Sequence, residues 1–492
     1  MTAREAVRAI EEDLMSSLFW DLKPHAPFRF FEEISNIPRP SFGEVRIADY
    51  LVDFATQRGL WCLRDGAQNV LIRKNGSPGR ENEPAVLLQA HTDMVCEKHS
   101  FVAHDFEKDP IRLVREGDLL RADGTTLGGD DGFGVAVMLA VLDDGTLSHP
   151  PLECLFTSAE EVGLIGAAKF DYSHITAKRM LNLDSAEEHT VIVGCCGGER
   201  CKLVLPLRYE KGSGRGLRIC LSGLCGGHSG EDIHRQRANA HVLMGKLLSA
   251  LWERTSFSFA SLEGGDKDTA IPRECTATVL PEDGERAQTF LAGATEWVAE
   301  LLTAPEDRAC RVTVSPVVIE GCFAKEESQK LLRVLSVRNG VLAMRELPPI
   351  MPDTSRNLAS VRTDATGACF AFSSRSPKPR HIVASRNELI ALADSLGGTI
   401  LHGAAYPGWE SAMDAPLVKT WCRAYESVTG RSCSPTLIHA GLECGLISDS
   451  VKGLAAISVG CNIHDLHTPS ERIELSSMSR VYRAVLAFLS ML

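Results

Sequence analysis

At 492 residues the chain is longer than the ~250–300 residues over which one hydrophobic core keeps growing, so two or more domains are expected. Its 44% hydrophobic and 24% charged residues are those of a globular protein and argue against wholesale disorder. A formal charge of -12, with no basic stripe carrying interleaved aromatics, argues against a nucleic-acid partner, and no apolar run approaches the ~18 residues of a membrane span.

The first twenty residues have helical periodicity, with acidic residues where a signal peptide needs an apolar core, so no export signal is expected. An amphipathic helix is predicted around 47–58, a strand at 69–73 and an apolar strand at 85–89. A glycine-rich turn at 128–134 leads into a helix over 135–142, followed by strands at 152–157 and 180–183. This alternation is that of a layered α/β fold, in which polar residues following apolar strands lie at the carboxyl edge of the sheet, where open sheets keep their sites. From about 201 to 403 the pattern changes. Strands at 201–206, 217–222, 275–280 and 311–317, with helices at 238–252 and 287–302, indicate a separate α+β domain. Residues 404–492 return to helix and strand and end in a helix at 476–492. A candidate site residue this late in the chain, His467, implies that the tail folds back onto the first domain and that the middle is an insertion. The sixteen cysteines are scattered without a C-x-x-C pair, so reduced, mostly buried thiols are expected. Cys195-Cys196, flanked by glycines, reads as a turn.

Several short segments hold residues suited to a metal centre. In PAVLLQAHTDMV, His91 and Asp93 follow a buried strand. Residues at i and i+2 of an extended chain project to one side, so the aspartate can orient the imidazole as a metal-bound histidine requires. Alone, the two also read as an ordinary surface pair. DGTTLGGDDG sets Asp130 and Asp131 in a glycine-bounded turn before a helix, where acidic residues also serve simply to complement the helix dipole. LECLFTSA ends in Glu160-Glu161, and two adjacent carboxylates repel one another unless a cation lies beside them. A glutamate within one water of a scissile carbonyl is a general-base candidate in metal-assisted hydrolysis. Asp184 follows the apolar MLNL, and His467 lies in HDLHTPSE. Singly, each fits solvated surface. Together, two histidines and three carboxylates beside the candidate base make a ligand set for two Zn²⁺-like ions sharing one carboxylate. The H-E-x-x-H, G-x-S-x-G, phosphate-loop and dinucleotide fingerprints are absent.

In order along the chain, these segments resemble the aminoacyl-histidine (Xaa-His) dipeptidases of the M20 metallopeptidase clan. The similarity runs from FFEEISNIPRPS through LLQAHTDMVCEK, HDFEKDPIRL, GTTLGGDDGFGVA, PLECLFTSAEEVGLIGA, LNLDS, GGHSGEDIH, AIPRE and IHAGLECGLI to HTPSE, nearly the entire chain. The resemblance implies a two-domain α/β metallopeptidase. Residues 1–200 and 404–492 would form a catalytic domain around a central mixed sheet, and 201–403 an inserted α+β lid domain through which relatives form homodimers. It implies two divalent ions, Zn²⁺ with Mn²⁺ or Co²⁺ as alternatives. His91 and Asp184 would hold one ion, Glu161 and His467 the other, and Asp130 would bridge them. Glu160 would be the base, Asp93 the support of the His91 ring and His228 the oxyanion donor, with Thr269, Arg375, His439 and Glu443 on the substrate. The implied activity is cytoplasmic hydrolysis of short peptides, Xaa-His dipeptides by preference, with a small peptide as the partner and neither nucleic acid nor membrane. An aminoacylase or deacetylase of the same clan, or a non-catalytic scaffold, is the alternative.

The chain departs from its relatives in four places, one of them the segment FSSRSP around Arg375, which matches only loosely. Asp131 stands where an Asn is usual, Ala159 where an acidic residue is usual, and Thr269 where a substrate-binding Asn is usual. A hydroxyl cannot reproduce a carboxamide's donor and acceptor pair, so the departures bear on substrate choice more than on metal binding.

Overall fold

The computed structural model describes residues 18–345 and 350–492. The helical periodicity read over the first twenty residues falls almost wholly outside them. The chain divides into two compact units. One comprises the residues up to Cys195 with Trp409–Leu437 and Leu442–Leu492, and the other Cys196–Gly408 with Ile438–Gly441.

The first unit is built on nine strands: Trp61–Arg64 (β1), Val70–Lys74 (β2), Val86–His91 (β3), Leu152–Thr157 (β4), Arg179–Ser185 (β5), Thr190–Cys195 (β6), Trp409–Glu410 (β7), Ser434–Ile438 (β8) and Ala455–Gly460 (β9). They form one mixed sheet in the order β1-β2-β4-β3-β5-β9-β6-β7, with β8 also on β6. β3 lies parallel to both β4 and β5, and β9 parallel to β5. Every residue of β3 and β4 is buried. That is why they read as continuous apolar runs rather than alternating ones, as strands covered on both faces do.

The covering helices are Ala26–Ser35 (α1), Val45–Gln57 (α2), Gly129–Asp143 (α3), Pro416–Thr429 (α4), Glu443–Ser450 (α5) and Leu475–Met491 (α6). α3 is apolar on all sides and buried from Gly132 to Leu142, as an interior helix must be. Its first turn is irregular, with Asp130 and Asp131 outside helical geometry and joined by a cis peptide bond. The core between these layers includes Phe31, Phe133, Phe156, Trp421 and Phe488.

The second unit has its own core, including Leu203, Ile219, Phe257, Phe259, Phe370 and Phe372. Its four-stranded sheet runs Phe257–Glu263, Cys275–Pro281, Tyr209–Ser222, Arg311–Phe323, and its five-stranded sheet runs Gly340–Met344, Pro352–Asp364, Gly367–Ser376, Gly197–Pro206, Thr399–Tyr406. Two expectations are corrected. The helix expected over 287–302 is two short helices, Gly284–Leu291 and Ala294–Ala299, parted at Gly293, a residue that weakens a helix interior. The Cys195-Cys196 pair makes no turn: Cys195 ends β6, the next strand begins at Gly197, and both thiols are buried. All sixteen cysteines are free, with Cys225 exposed. Among the described residues no helix is long and apolar enough to cross a membrane.

Candidate metal centre

Parallel pairing brings three strand ends to one edge of the first unit's sheet. His91 ends β3 opposite Thr157, the last residue of β4, after which Ser158–Glu161 continue the chain. Gln89 of β3 faces Asn182 of β5, so Asp184 follows two residues on at the same edge. The irregular start of α3 supplies Asp130, and a loop residue with φ of +61° supplies His467.

The side chains converge. His91 Nε2 lies 3.0 Å from Asp130 Oδ1 and 3.9 Å from Asp184 Oδ1. His467 Nε2 lies 3.3 Å from Asp130 Oδ2 and 3.2 Å from Glu161 Oε1. Two ligand atoms held by one tetrahedral ion at ~2.0–2.1 Å stand about 3.3 Å apart, so both sets have the spacing of a coordination shell. Three groups each gather ligand atoms within 4.8 Å of one another: His91, Asp130 and Asp184; Asp130, Glu161 and His467; and His91, Glu160 and Glu161. Asp130 belongs to the first two, offering a different oxygen to each histidine. Glu161 Oε1 is buried with no aligned hydrogen-bond donor among the described residues, as befits an atom suited to a cation. A nitrogen and oxygen donor set of this kind suits Zn²⁺, Mn²⁺ or Co²⁺.

The surrounding groups were less legible. The His91 Nδ1 hydrogen bond goes to the backbone carbonyl of Asp93 at 3.1 Å, while the Asp93 carboxylate stands at 3.4 Å. That carboxylate accepts from Ser41 Oγ at 2.7 Å and from the backbone N–H groups of Glu160 and Glu161 at 2.9 and 3.2 Å. It therefore ties the His91 turn to the glutamate turn. Asp131, buried beside the site, accepts from the backbone N–H of His91 at 3.2 Å and of Gly134 at 3.0 Å. Motif reading missed Arg39, which donates to the carbonyls of Thr92, Asp93 and Gly128. It also missed Glu471, which accepts from four backbone N–H groups over Leu127–Asp130. Burial raises the Glu471 pKa, as does the charge of Asp130, against those N–H donors. Its only sequence signal is its place in HTPSE, four residues after His467.

Burial disfavours a charged His91 ring, but hydrogen bonds to Asp130 and Asp93 outweigh it and hold the pKa well above the ordinary histidine value. Against the same opposition from burial, Asp130 and Glu161 push His467 up to about 11. Asp130 falls well below the usual carboxylate range, because hydrogen bonds from His467 and His91 outweigh burial. Burial raises Glu160 and Asp184, with added repulsion from Glu161 and Asp130 respectively. The carboxylates thus favour protonated imidazoles, and a bound cation takes the place of those protons. Metal uptake is expected to release protons, and the apparent affinity for Mn²⁺ or Zn²⁺ to rise about tenfold per pH unit for each proton displaced. Calorimetric titrations in buffers of different ionisation heat check this. An affinity independent of pH between about 6 and about 8 would contradict it.

Glu443, at the start of α5, is fully buried. Its Oε2 accepts from Gln89 Nε2 at 2.5 Å and Thr157 Oγ1 at 2.6 Å, its Oε1 has no partner among the described residues, and burial brings its pKa to about 7.

Within the second unit, His228, Thr269, Arg375 and His439 gather around Ser229-Gly230. The Thr269 carbonyl accepts from Ser229 N–H at 2.7 Å. A Cβ on Gly230 would stand 2.5 Å from the His439 carbonyl oxygen and 3.2 Å from both Arg375 Nε and His228 Cε1. His228 Nδ1 accepts from Glu231 N–H at 3.1 Å, which leaves the proton of the neutral ring on Nε2. Arg375 donates to Tyr406 Oη at 2.7 Å, and its buried Nε has no partner among the described residues. His439 Nδ1 lies 3.0 Å from the thiol of Cys196, and its Nε2 lies 2.7 Å from Ser355 Oγ.

The chain matches Peptidase family M20/M25/M40 over residues 87–491. It is 32% identical over 477 residues to the cytosol non-specific dipeptidase of Escherichia coli (strain K12), covering 94% of this chain and 96% of that protein. It is similar to the crystal structure of aminoacylhistidine dipeptidase from Vibrio alginolyticus, with a TM-score of 0.82 and 32% identity over 97% of this chain and 98% of that one. The aminopeptidase PepT from Bacillus cereus shares the fold, with a TM-score of 0.54 and 16% identity over 95% of this chain and 98% of that one. With this match spanning most of its length, the chain belongs to peptidase family M20/M25/M40.

Proposed function

We propose that this chain is a dinuclear metallo-dipeptidase that cleaves the peptide bond of short peptides, with Xaa-His dipeptides among its substrates. The observation that carries the reading is Asp130, whose two oxygens each face a different histidine at ligand spacing. His91 and Asp184 would hold one ion and Glu161 and His467 the other, with Asp130 shared. Bound there, two divalent cations would polarise the peptide carbonyl and make water a stronger nucleophile at neutral pH. Glu160 takes the proton from the attacking water and passes it to the leaving amine. Burial raises its pKa, the direction that helps a carboxylate which must first accept and then donate a proton. Asp93 holds the turns carrying His91 and the two glutamates in register. Among the substrate-side residues, His228 carries a donor Nε2–H suited to developing negative charge. The Arg375 guanidinium suits a peptide carboxylate, while Thr269, His439 and Glu443 complete the set.

The relatives' names differ, one being called a non-specific dipeptidase and the other an aminoacylhistidine dipeptidase. Thr269, in place of a carboxamide, favours the broader reading. A panel of Xaa-His dipeptides, other dipeptides, tripeptides and N-acyl amino acids, run with metal-loaded protein and a chelator control, tests it. Dipeptides are expected to be cleaved and chelation to abolish turnover. Consumption of N-acyl amino acids with no dipeptide turned over would replace this reading with an aminoacylase. We further propose a cytosolic location, from the E. coli relative's name, and a homodimer formed through the inserted unit.

A further inference from the structure

We propose that Glu471 is a positioning residue for the shared carboxylate, locking the turn that carries Asp130 to the segment that carries His467. The inference rests on the dimetal reading above. Glu471 is only 2% exposed. Its Oε2 accepts from the backbone N–H of Leu127 at 2.8 Å and of Gly128 at 3.0 Å, and its Oε1 from Gly129 at 2.8 Å and Asp130 at 3.3 Å. Successive N–H groups converging on one point form an anion-binding nest, and here the protein fills the nest with its own side chain.

The backbone is shaped for that contact. Gly128 takes a left-handed φ of +69°, and a Cβ on Gly129 would stand 2.6 Å from Ile473 Cδ1 and 3.1 Å from Glu471 Oε1. Glu471 is itself anchored near His467, since its own N–H donates to the carbonyl of Thr468 at 3.0 Å. Arg39, also 2% exposed, holds the carbonyl of Gly128 at 2.6 Å and those of Thr92 and Asp93 at 3.0 and 3.2 Å. The turn presenting Asp130 is therefore gripped through its N–H groups by a residue tied to His467, and through a carbonyl by a residue tied to the His91 strand end. These segments are far apart in the chain, so local propensity cannot set their spacing, whereas metal–ligand distances must hold within about 0.2 Å.

Glu471→Gln would turn an NH₂ donor towards two of the four N–H donors and open the nest. Full-length wild-type and variant proteins are titrated with Co²⁺, following visible absorption and metal content. Wild type is expected to take two ions. Glu471→Gln should bind Co²⁺ about 10- to 100-fold more weakly, with a changed ligand-field spectrum. Its kcat should recover when Co²⁺ is raised by the same factor, with KM unchanged. Glu471→Asp, which keeps both acceptors one methylene shorter, should fall between. Wild-type Co²⁺ affinity and spectrum in Glu471→Gln would overturn the inference, even if its thermal stability fell. Should Glu471→Gln fail to fold, the same wild-type values in Glu471→Asp would overturn it. A wild-type chain that takes no Co²⁺ would instead overturn the dimetal reading.

Discussion

Replacing Glu160 with glutamine is expected to leave two divalent ions bound while lowering kcat on a dipeptide by about 100- to 10,000-fold, the range in which a positioned general base contributes. Glu160 and Glu161 are neighbours, yet only Glu161 reaches His467 and Asp130, within one ligand group. Glu160 instead groups with His91 and Glu161. Its backbone N–H is held by the Asp93 carboxylate at 2.9 Å, which fixes where the side chain begins. Glutamine keeps the shape and removes the titrating oxygen. Metal analysis beside steady-state kinetics separates the outcomes: a variant that loses one ion would make Glu160 a ligand and exchange its role with that of Glu161.

Asp130→Ala is expected to remove both metals' common support, with a loss of metal affinity beyond the about 10- to 100-fold that an outer partner costs, and with activity lost in parallel. The metal-free protein should lose stability as well, because Asp130 lies between two imidazoles and its hydrogen bonds raise the pKa of both. The pKa of Asp130 in the folded chain lies below its unfolded value, so its contribution is present at neutral pH and disappears as pH falls through the acid range. The His467 pKa is raised, so its contribution is full below the ordinary value of 6.5 and lost as pH rises to about 11. The stability difference between wild type and variant should therefore be widest in the mildly acid range, above the ordinary carboxylate value of 3.8 and below 6.5, and narrow towards both extremes. A metal-free variant as stable as wild type at pH 7, still binding two ions, would contradict this account.

Much of the candidate centre was legible because strand-end chemistry is local. His91, Glu160, Glu161 and Asp184 each follow an apolar run, and parallel pairing is enough to bring such ends together. The supports were not legible in the same way. Arg39 and Glu471 act on backbone carbonyls and N–H groups, which any residue supplies, so no pattern in the partner segment announces the contact. Asp131 read as half of an acidic pair, yet its oxygens meet the N–H groups of His91 and Gly134. The 287–302 segment read as one helix on periodicity alone, and Gly293 broke it. The cluster at Gly230 joins residues from four separated segments, and only the fold of the second unit brings them together.

The most direct measurement is anomalous diffraction from crystals grown with Mn²⁺ or Zn²⁺. Two peaks are expected, one contacting His91, Asp130 and Asp184 and the other Asp130, Glu161 and His467, each at ~2.0–2.2 Å from its ligand atoms. A single peak, or two peaks that do not share Asp130, would contradict the account.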